Sequence, residues 1–189
     1  MNPNNKLKFD NFITLDIEYT SWKGSLENNW GRSFEKREIV QIGIYHPYLR
    51  TNNISFYFEP KINKKLSNYF VNLTKITNEF LKKNSIEFID GLERIEKITQ
   101  KINTIYVIGR DKEVILENIK IYNVQKNFTF IDKIIDIRPY IANKLNLSKK
   151  QIISSELPNL LKFKITNKNK HNAEYDSFCS FKAIELLFI

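Results

Sequence analysis

The sequence predicts an α/β fold in which one mixed, five-stranded sheet is flanked by helices. Two observations carry this. Three strand-like segments follow one another at short intervals before Pro60, as in an antiparallel meander. Beyond Pro60, segments of helical spacing alternate with short β-branched runs, a pattern that adds strands to the same sheet and covers it with helices. Composition agrees. Of 189 residues, 42% are hydrophobic and 27% charged, which is globular rather than disordered. The length suits a single domain, 1–189, with a sizeable core and a flexible N-terminus over 1–10.

The elements follow in order. "FITLDIEYTSW" (12–22) opens with the first strand, and "TSWKGSLENNWGRSFEKR" after it reads as a polar, glycine-containing loop or flap. "EIVQIGIYH" alternates as a second strand, and "NISFYFEP" is a third, closed by Pro60. "SNYFVNLTKITNEFLKKN" forms short helical pieces, with Thr77 as an N-cap and Glu79 in the first turn. In "SIEFIDGLERIEKITQKI" the spacing of Ile89, Leu92, Ile95, Ile98 and Ile102 predicts a full amphipathic helix. "TIYVIG" is a short strand running into Gly109. "DKEVILENIKIY" returns to helical spacing through Val114, Ile115, Asn118 and Tyr122. "FTFIDKI" is expected to be the fifth strand, and "RPYIANKL" a helix with Pro139 in its first turn. "SSELPNLLKF" is a further short helix. "AEYDSFCSFKAIELLFI" is the last, its apolar stripe formed by Phe178, Phe181, Ile184, Leu187 and Phe188.

No apolar run approaches the ~18 residues that span a bilayer, and "MNPNNKLKFDNF" lacks the apolar core of a signal peptide, so no membrane partner is expected. The single cysteine, Cys179, excludes an internal disulfide and suits a reducing cytoplasm, the expected location. The formal net charge of +9 fits an anionic partner such as nucleic acid. It fits equally a lysine-rich chain whose cations are simply solvated.

The first strand poses the functional question. Alternation puts Leu15 and Ile17 on one face and the carboxylates of Asp16 and Glu18 together on the other. Like charges so placed repel and need an offset. Asp111 follows the apolar strand "TIYVIGR" at its C-terminal end, where open α/β sheets place their sites. Asp176, in "HNAEYD", opens the last helix five residues after His171. Taken singly, each is as well read as a surface acid, a helix cap or a loop histidine. The ordered set of five makes coincidence a poor account.

The elements "LDIEYT", "IGRDKEVIL" and "HNAEYD", in that order, resemble the three motifs of the DEDDh 3′–5′ exonucleases. "EIVQIGIY" is similar to the family's second strand, and "LSNYFVNLTKIT" to its Leu-Thr-Gly-Ile-Thr stretch. The "TSWKGSLENNWGR" insertion is similar to that of histone-mRNA-type and sporulation-associated members. The resemblance runs from about residue 10 to residue 188. Two positions depart from it: Lys75 stands where glycine is usual, and Ser177 where alanine is common.

The resemblance implies an RNase H-like fold, with three antiparallel strands plus two parallel ones. It also implies a 3′–5′ exonuclease that hydrolyses single-stranded RNA or DNA with a free 3′ end to nucleoside monophosphates. Asp16, Glu18, Asp111 and Asp176 would hold two Mg²⁺, with Mn²⁺ able to substitute, about 3.5–4 Å apart. Such cations would offset the clustered carboxylates. His171 would be the general base, since an imidazole titrates near about 6.5. Five positions on a continuous helix turn two side chains about 140° apart, so His171 is expected in a loop before the helix.

The candidate substrate contacts are Tyr19, Thr20, Trp22, Lys75 and Arg110. Tyr19 is equally a core residue, and Trp22 and Trp30 either stack on bases or pack on the domain. Lys168, Lys170 and Arg110 are candidate phosphate contacts. Cys179 reads as a small core residue. The competing reading is a nucleic-acid-binding module on the same fold without catalysis; a further one is an interaction domain whose acids lie apart on its surface.

Overall fold

The computed structural model describes residues 7–164 and 171–189. Among these, β1 (Phe12–Tyr19), β2 (Ile39–Tyr45), β3 (Asn53–Tyr57), β4 (Thr104–Val107) and β5 (Ile134–Asp136) form one sheet in the order β3-β2-β1-β4-β5. The pairs β1–β2 and β2–β3 are antiparallel; β1–β4 and β4–β5 are parallel. The helices are α1 (Asn68–Thr74), α2 (Asn78–Asn84), α3 (Phe88–Ile98), α4 (Asp111–Ile121), α5 (Arg138–Lys144), α6 (Leu157–Leu161) and α7 (Ala173–Phe188). The mixed α/β sheet expected from the sequence is the sheet observed.

Both faces of the sheet are covered, which is why β1 is buried over nearly its whole length. One face carries Ile13, Leu15 and Ile17 against Phe88, Leu92 and Ile95 of α3 and Val114 and Ile115 of α4. The other carries Phe12 and Tyr106 against Ile141 of α5 and Cys179, Phe181 and Ile184 of α7. Asp16 and Glu18 therefore point to the α7 side. Among the described residues, no helix is long and apolar enough to cross a membrane.

The seating of α7 depends on Gly43. This glycine stands opposite Asp16 in the β1–β2 register. A Cβ there would overlap the backbone of Ala173 and Glu174, so its absence admits the first turn of α7 onto the sheet. Two polar ties hold the helix down. Thr14 Oγ1 donates to the Ser177 carbonyl at 2.7 Å, and the Ala173 N–H donates to Gln41 Oε1 at 3.1 Å. The buried side of α7 is consequently rich in small residues: Ala173, Ser177, Ser180 and Ala183 are buried along with Phe181 and Ile184. Phe178, Leu187 and Phe188, expected in the apolar stripe, are only partly buried.

Two expectations are corrected. Within "FTFIDKI", Thr129–Lys133 is a 3₁₀ turn, and the fifth strand begins at Ile134. The cause is Glu96, whose carboxylate accepts from the N–H groups of Thr129 (3.2 Å) and Phe130 (3.1 Å), groups a strand would have given to its neighbour. The helix expected to reach Ile102 ends at Ile98. Thr99 turns the chain, with its hydroxyl on the Ile95 carbonyl at 2.7 Å, and Ile102 is buried beyond the helix. Of the N-terminal segment expected to be flexible, the described part is packed: Leu7 and Phe9 lie on the α7-side core, and Phe9 stacks on Phe188 at 5.2 Å. Residues 1–6 of that segment lie outside the described residues.

Thr77 caps α2 as expected, accepting from the Phe80 N–H at 3.1 Å. Lys75 closes α1 with a left-handed φ of 64°, the conformation for which glycine is the favoured residue. Lys75→Gly should raise stability by about 0.5–1 kcal/mol in urea unfolding, relief of left-handed strain outweighing the added freedom of the unfolded chain. Gly43→Ala should instead cost about 1–3 kcal/mol by overpacking. Calorimetry of both variants checks the pair, and a neutral Gly43→Ala would contradict the close approach of α7.

Candidate active site

Alternation along β1 puts Asp16 and Glu18 on the α7 face, opposite Gly43 and Gln41 of β2. The pairing is irregular between Glu18 and Tyr19, so the strand breaks register just past the acids. Asp176 lies in the first turn of α7, and His171 sits in the preceding turn with a left-handed φ of 59°. Between them Asn172 caps the helix, accepting from Glu174 N (3.1 Å) and Tyr175 N (3.3 Å). Gln41 holds this cap from the sheet. Its Nε2 donates to Asn172 Oδ1 at 3.4 Å and to Ser55 Oγ at 2.9 Å. Loop placement removes the angular conflict that a continuous helix would impose on His171 and Asp176.

Asp16, Glu18, His171 and Asp176 line one cleft of about 390 Å³. One donor atom each from Glu18, His171 and Asp176 lies within 4.8 Å of the other two. Asp111 is the first residue of α4 and lines an adjoining cavity of about 210 Å³, which also takes in Asp16, Tyr19, Leu26 and Trp30. The loop that presents Asp111 is pinned to the end of β5: Gly109 N donates to Asp136 Oδ1 at 3.1 Å. Gly109 has φ 136°, and a Cβ there would run into the Arg138 guanidinium.

Burial and mutual repulsion dominate the electrostatics. Burial first, then the charges of Asp176, Asp111 and Glu18, push the Asp16 carboxyl well above its usual range; the Ser154 hydroxyl, donating to Asp16 Oδ1 at 3.1 Å, pulls the other way. Glu18 is raised well above its usual range by burial and by Asp176 and Asp111. Burial lifts Asp111 to about 7, against the pull of backbone N–H groups and Arg138. Carboxylates so grouped, with oxygen donors facing a common space, suit hard divalent cations. The donor set fits them.

The expected substrate contacts separate. Tyr19 and Trp22 line the cleft, as does Trp30. Trp22 also packs edge-on to Phe34, and Trp30 lies against Tyr19 at 5.3 Å. Thr20 does not line the cleft. It is buried, and its hydroxyl is spent at the flap base, donating to the Lys36 carbonyl and accepting from Glu38 N at 3.0 Å. Lys75 is not among the lining residues; its ammonium donates to the Asn72 carbonyl at 2.8 Å. Arg110 borders the adjoining cavity, engaged with Glu113 (2.5 Å) and Asn29 (3.0 Å). Lys168 and Lys170 lie outside the described residues. Cys179 is buried in the core, its thiol pushed up to about 12 by burial first and by Asp176.

Sequence reasoning missed Leu26, Tyr69, Leu73, Ile153 and Ser154 in the cleft, and Arg138 beside Asp111. The paired hydroxyls of "SSEL" were a signal for the Ser154 segment. Nothing in their spacing tied them to Asp16.

A helix-covered mixed sheet with an acidic cleft beside its central strand defines the class of α/β nuclease domains. A family model of the RNase T type, described as exonuclease, matches residues 13–184, and the chain belongs to this family. Solved structures share the fold. One, describing 3′-end-specific recognition of a histone mRNA stem-loop by a 3′-exonuclease, has a TM-score of 0.76 at 17% identity over 93% of this chain. This chain spans 63% of its length. The nuclease domain of 3′hExo, a DEDDh family member bound to rAMP, gives 0.74 at 17% identity, over 91% of this chain and 88% of that one. Cell-death related nuclease 4 gives 0.70 at 16% identity, over 94% and 63%. No curated protein matches the chain.

The raised carboxyls set a sign for pH dependence. Asp16, Glu18 and Asp111 bind protons more tightly in the folded than in the unfolded chain. From the usual carboxylate range up to about 7 the native state therefore holds the extra protons, and stability falls as pH rises through that window. In EDTA, the melting temperature should drop between about pH 5 and about pH 8, less so in Asp16→Asn, and Mn²⁺ added at the higher pH should raise it by several degrees. A wild-type profile no steeper than that of Asp16→Asn would contradict the repulsion.

Proposed function

We propose that this protein is a 3′–5′ exonuclease acting on single-stranded RNA or DNA with a free 3′ end, releasing nucleoside monophosphates. The observation that carries the reading is the gathering of Asp16, Glu18, His171 and Asp176 around one cleft, with Asp111 in the cavity beside it. Three segments of chain, distant in sequence, supply these five groups. A cytoplasmic location goes with the proposal, in keeping with the one cysteine.

Asp16, Glu18, Asp111 and Asp176 would hold two Mg²⁺ or Mn²⁺ ions. Bound there, such ions supply Lewis-acid stabilisation of charge on the phosphoryl oxygens and an acidified attacking water. The chain's own residues do the rest. His171, with a donor atom within 4.8 Å of those of Glu18 and Asp176, would take a proton on an imidazole nitrogen from the attacking water. Asn172 and Gln41 hold that histidine's turn against the sheet. Ser154 orients the Asp16 carboxylate through its hydroxyl. Trp22, Trp30, Leu26 and Tyr69 offer apolar wall to a nucleobase, so the terminal nucleotide is held by stacking rather than by base-edge hydrogen bonds. Sequence-tolerant digestion follows from that mode of binding.

The experiment uses 5′-labelled single-stranded RNA and DNA with Mg²⁺, Mn²⁺ or EDTA. We expect a metal-dependent ladder shortening from the 3′ end, abolished in Asp16→Ala and Asp176→Ala. His171→Ala should lower turnover by about 10²–10⁴-fold while Mn²⁺ binding, read by calorimetry, persists. Strand binding without shortening under every metal condition would favour the non-catalytic module instead.

A further inference from the structure

We propose that Arg138 is a substrate-binding residue whose guanidinium, in the cavity beside Asp111, holds the second phosphodiester from the 3′ end of a strand. The inference rests on the nuclease reading of the neighbouring cleft and adds a phosphate subsite one linkage upstream of the bond to be cut.

Three guanidinium groups border that cavity, those of Arg37, Arg110 and Arg138. Two are already committed. Arg37 makes a forked ion pair with Glu117, and Arg110 is engaged with Glu113 and Asn29. Arg138 is not. Its Nε is buried and has no hydrogen-bond partner among the described residues. The carboxylate paired with it there, Asp136, stands 3.9 Å from Nε, beyond hydrogen-bond reach. That Asp136 oxygen instead accepts from the N–H groups of Gly109 at 3.1 Å and of Arg138 at 2.9 Å. Among the described residues no acceptor takes the terminal nitrogens either. A guanidinium carries five donors, and a desolvated charge without partners is unfavourable. Only 27% of this side chain is exposed, so water satisfies little of it.

The backbone fixes where this group sits. Arg138 opens α5 directly after β5, and its own N–H on Asp136 sets the course of the chain there. A Cβ at Gly109 would overlap the guanidinium, so the glycine lets the fork lie against the loop that presents Asp111. Little further ordering is then needed to grip a ligand.

A planar fork of donors matches the oxygens of a phosphodiester, and matches them better than an ammonium does. Placement within the site selects which phosphodiester. Cleft and cavity meet at Asp16, which lines both. With the terminal nucleotide in the cleft of about 390 Å³, against Trp22 and Tyr69, the first linkage lies on the acids at this junction. The adjoining cavity of about 210 Å³ then receives the next linkage. Of the three cations bordering it, Arg138 is the one that gives up no hydrogen bond to bind an anion. Clustered carboxylates repel a polyanion, and a guanidinium beside Asp111 draws the strand in past them.

The test reads binding apart from turnover. Fluorescence anisotropy in EDTA gives the affinity for 5′-labelled single strands of two, three and six nucleotides. Further six-nucleotide strands carry one uncharged methylphosphonate at a chosen linkage. Wild type should gain about 10–100-fold in affinity from two nucleotides to three, as the second linkage is added. Arg138→Gln should lose that gain, and its salt dependence should be shallower by about one released counterion. Arg138→Lys, which keeps the charge without the fork, should recover part of the gain. A methylphosphonate at the second linkage should weaken wild type by about the same factor and Arg138→Gln by less than about twofold. At the fourth linkage it should weaken both alike. Losses at the second linkage that are equal in wild type and Arg138→Gln would overturn the proposal and leave the arginine a counter-charge to Asp111. Coupling confined to the first linkage would overturn it too, as would strands that fail to bind wild type. If wild type binds strands yet shortens none with Mg²⁺ or Mn²⁺, the nuclease reading falls, and the methylphosphonate comparison still decides the role of Arg138.

Discussion

The contact between the first turn of α7 and the middle of β2 governs the rest of the molecule. Asp176 and His171 lie more than 150 positions from Asp16 in the chain. They reach the first strand only because α7 rests on the sheet at backbone distance. Gly43 provides the space, and Gln41 satisfies the Ala173 N–H, one of the donors a helix start leaves without an intrahelical partner. Thr14 takes up Ser177 further along the same helix. Placement at this level is tight because few rotatable bonds separate the contact from the functional groups. A helix seated on long side chains would carry its histidine with more slack. The packing that completes the core and the packing that assembles the cleft are the same contact.

The cleft is also where the molecule departs from its own habit with buried acids. Glu38 is fully buried and accepts from two backbone N–H groups, Ile62 at 2.7 Å and Asn63 at 2.6 Å. Glu35, also buried, is paired with Arg32 and accepts from the Ser25 hydroxyl. Glu96, only partly buried, takes two backbone donors and a hydroxyl. Each of these is a structural tie, its charge answered by fixed donors. Asp16 receives one neutral hydroxyl, and its neighbours Asp111, Glu18 and Asp176 raise its proton affinity further. Acids arranged in this way are poor glue, because their mutual repulsion grows as they ionise. Their arrangement makes sense as a receptor for positive charge, which is the physical ground for the cations in the proposal.

Much of this was legible in the sequence, and the reason lies in periodicity. Alternation in "FITLDIEY" both predicts the strand and puts its two acids on one face. Asp111 after "TIYVIGR" and Asp176 in "HNAEYD" are legible as the ends of elements, and the loop position of His171 follows from an angular argument once the resemblance makes it a partner of Asp176. What escaped depends on contacts between distant segments. Gly43 and Gln41 read only as strand residues in "EIVQIGIY", since their purpose lies in α7. Thr20 looked like a cleft residue because it follows the acids, yet the flap base claims its hydroxyl. The shift of the fifth strand from "FTFIDKI" to Ile134 traces to Glu96, more than 30 positions upstream.

The flap between β1 and β2 decides how the cleft is divided. Asn29 and Trp30 both adopt left-handed backbone, with φ of 49° and 53°, a conformation that costs free energy in residues with side chains. The cost is met by what Trp30 then does. Its indole N–H donates to the Thr20 carbonyl at 3.1 Å, its ring lies on Tyr19, and the Arg37 guanidinium sits 5.9 Å from its centre. So fixed, Trp30 borders both the cleft of Glu18, His171 and Asp176 and the cavity of Asp111, Arg110 and Arg138. Among the acids of the described residues only Asp16 lines both compartments. Asp16 is thus the carboxylate through which the two halves of the site must act together.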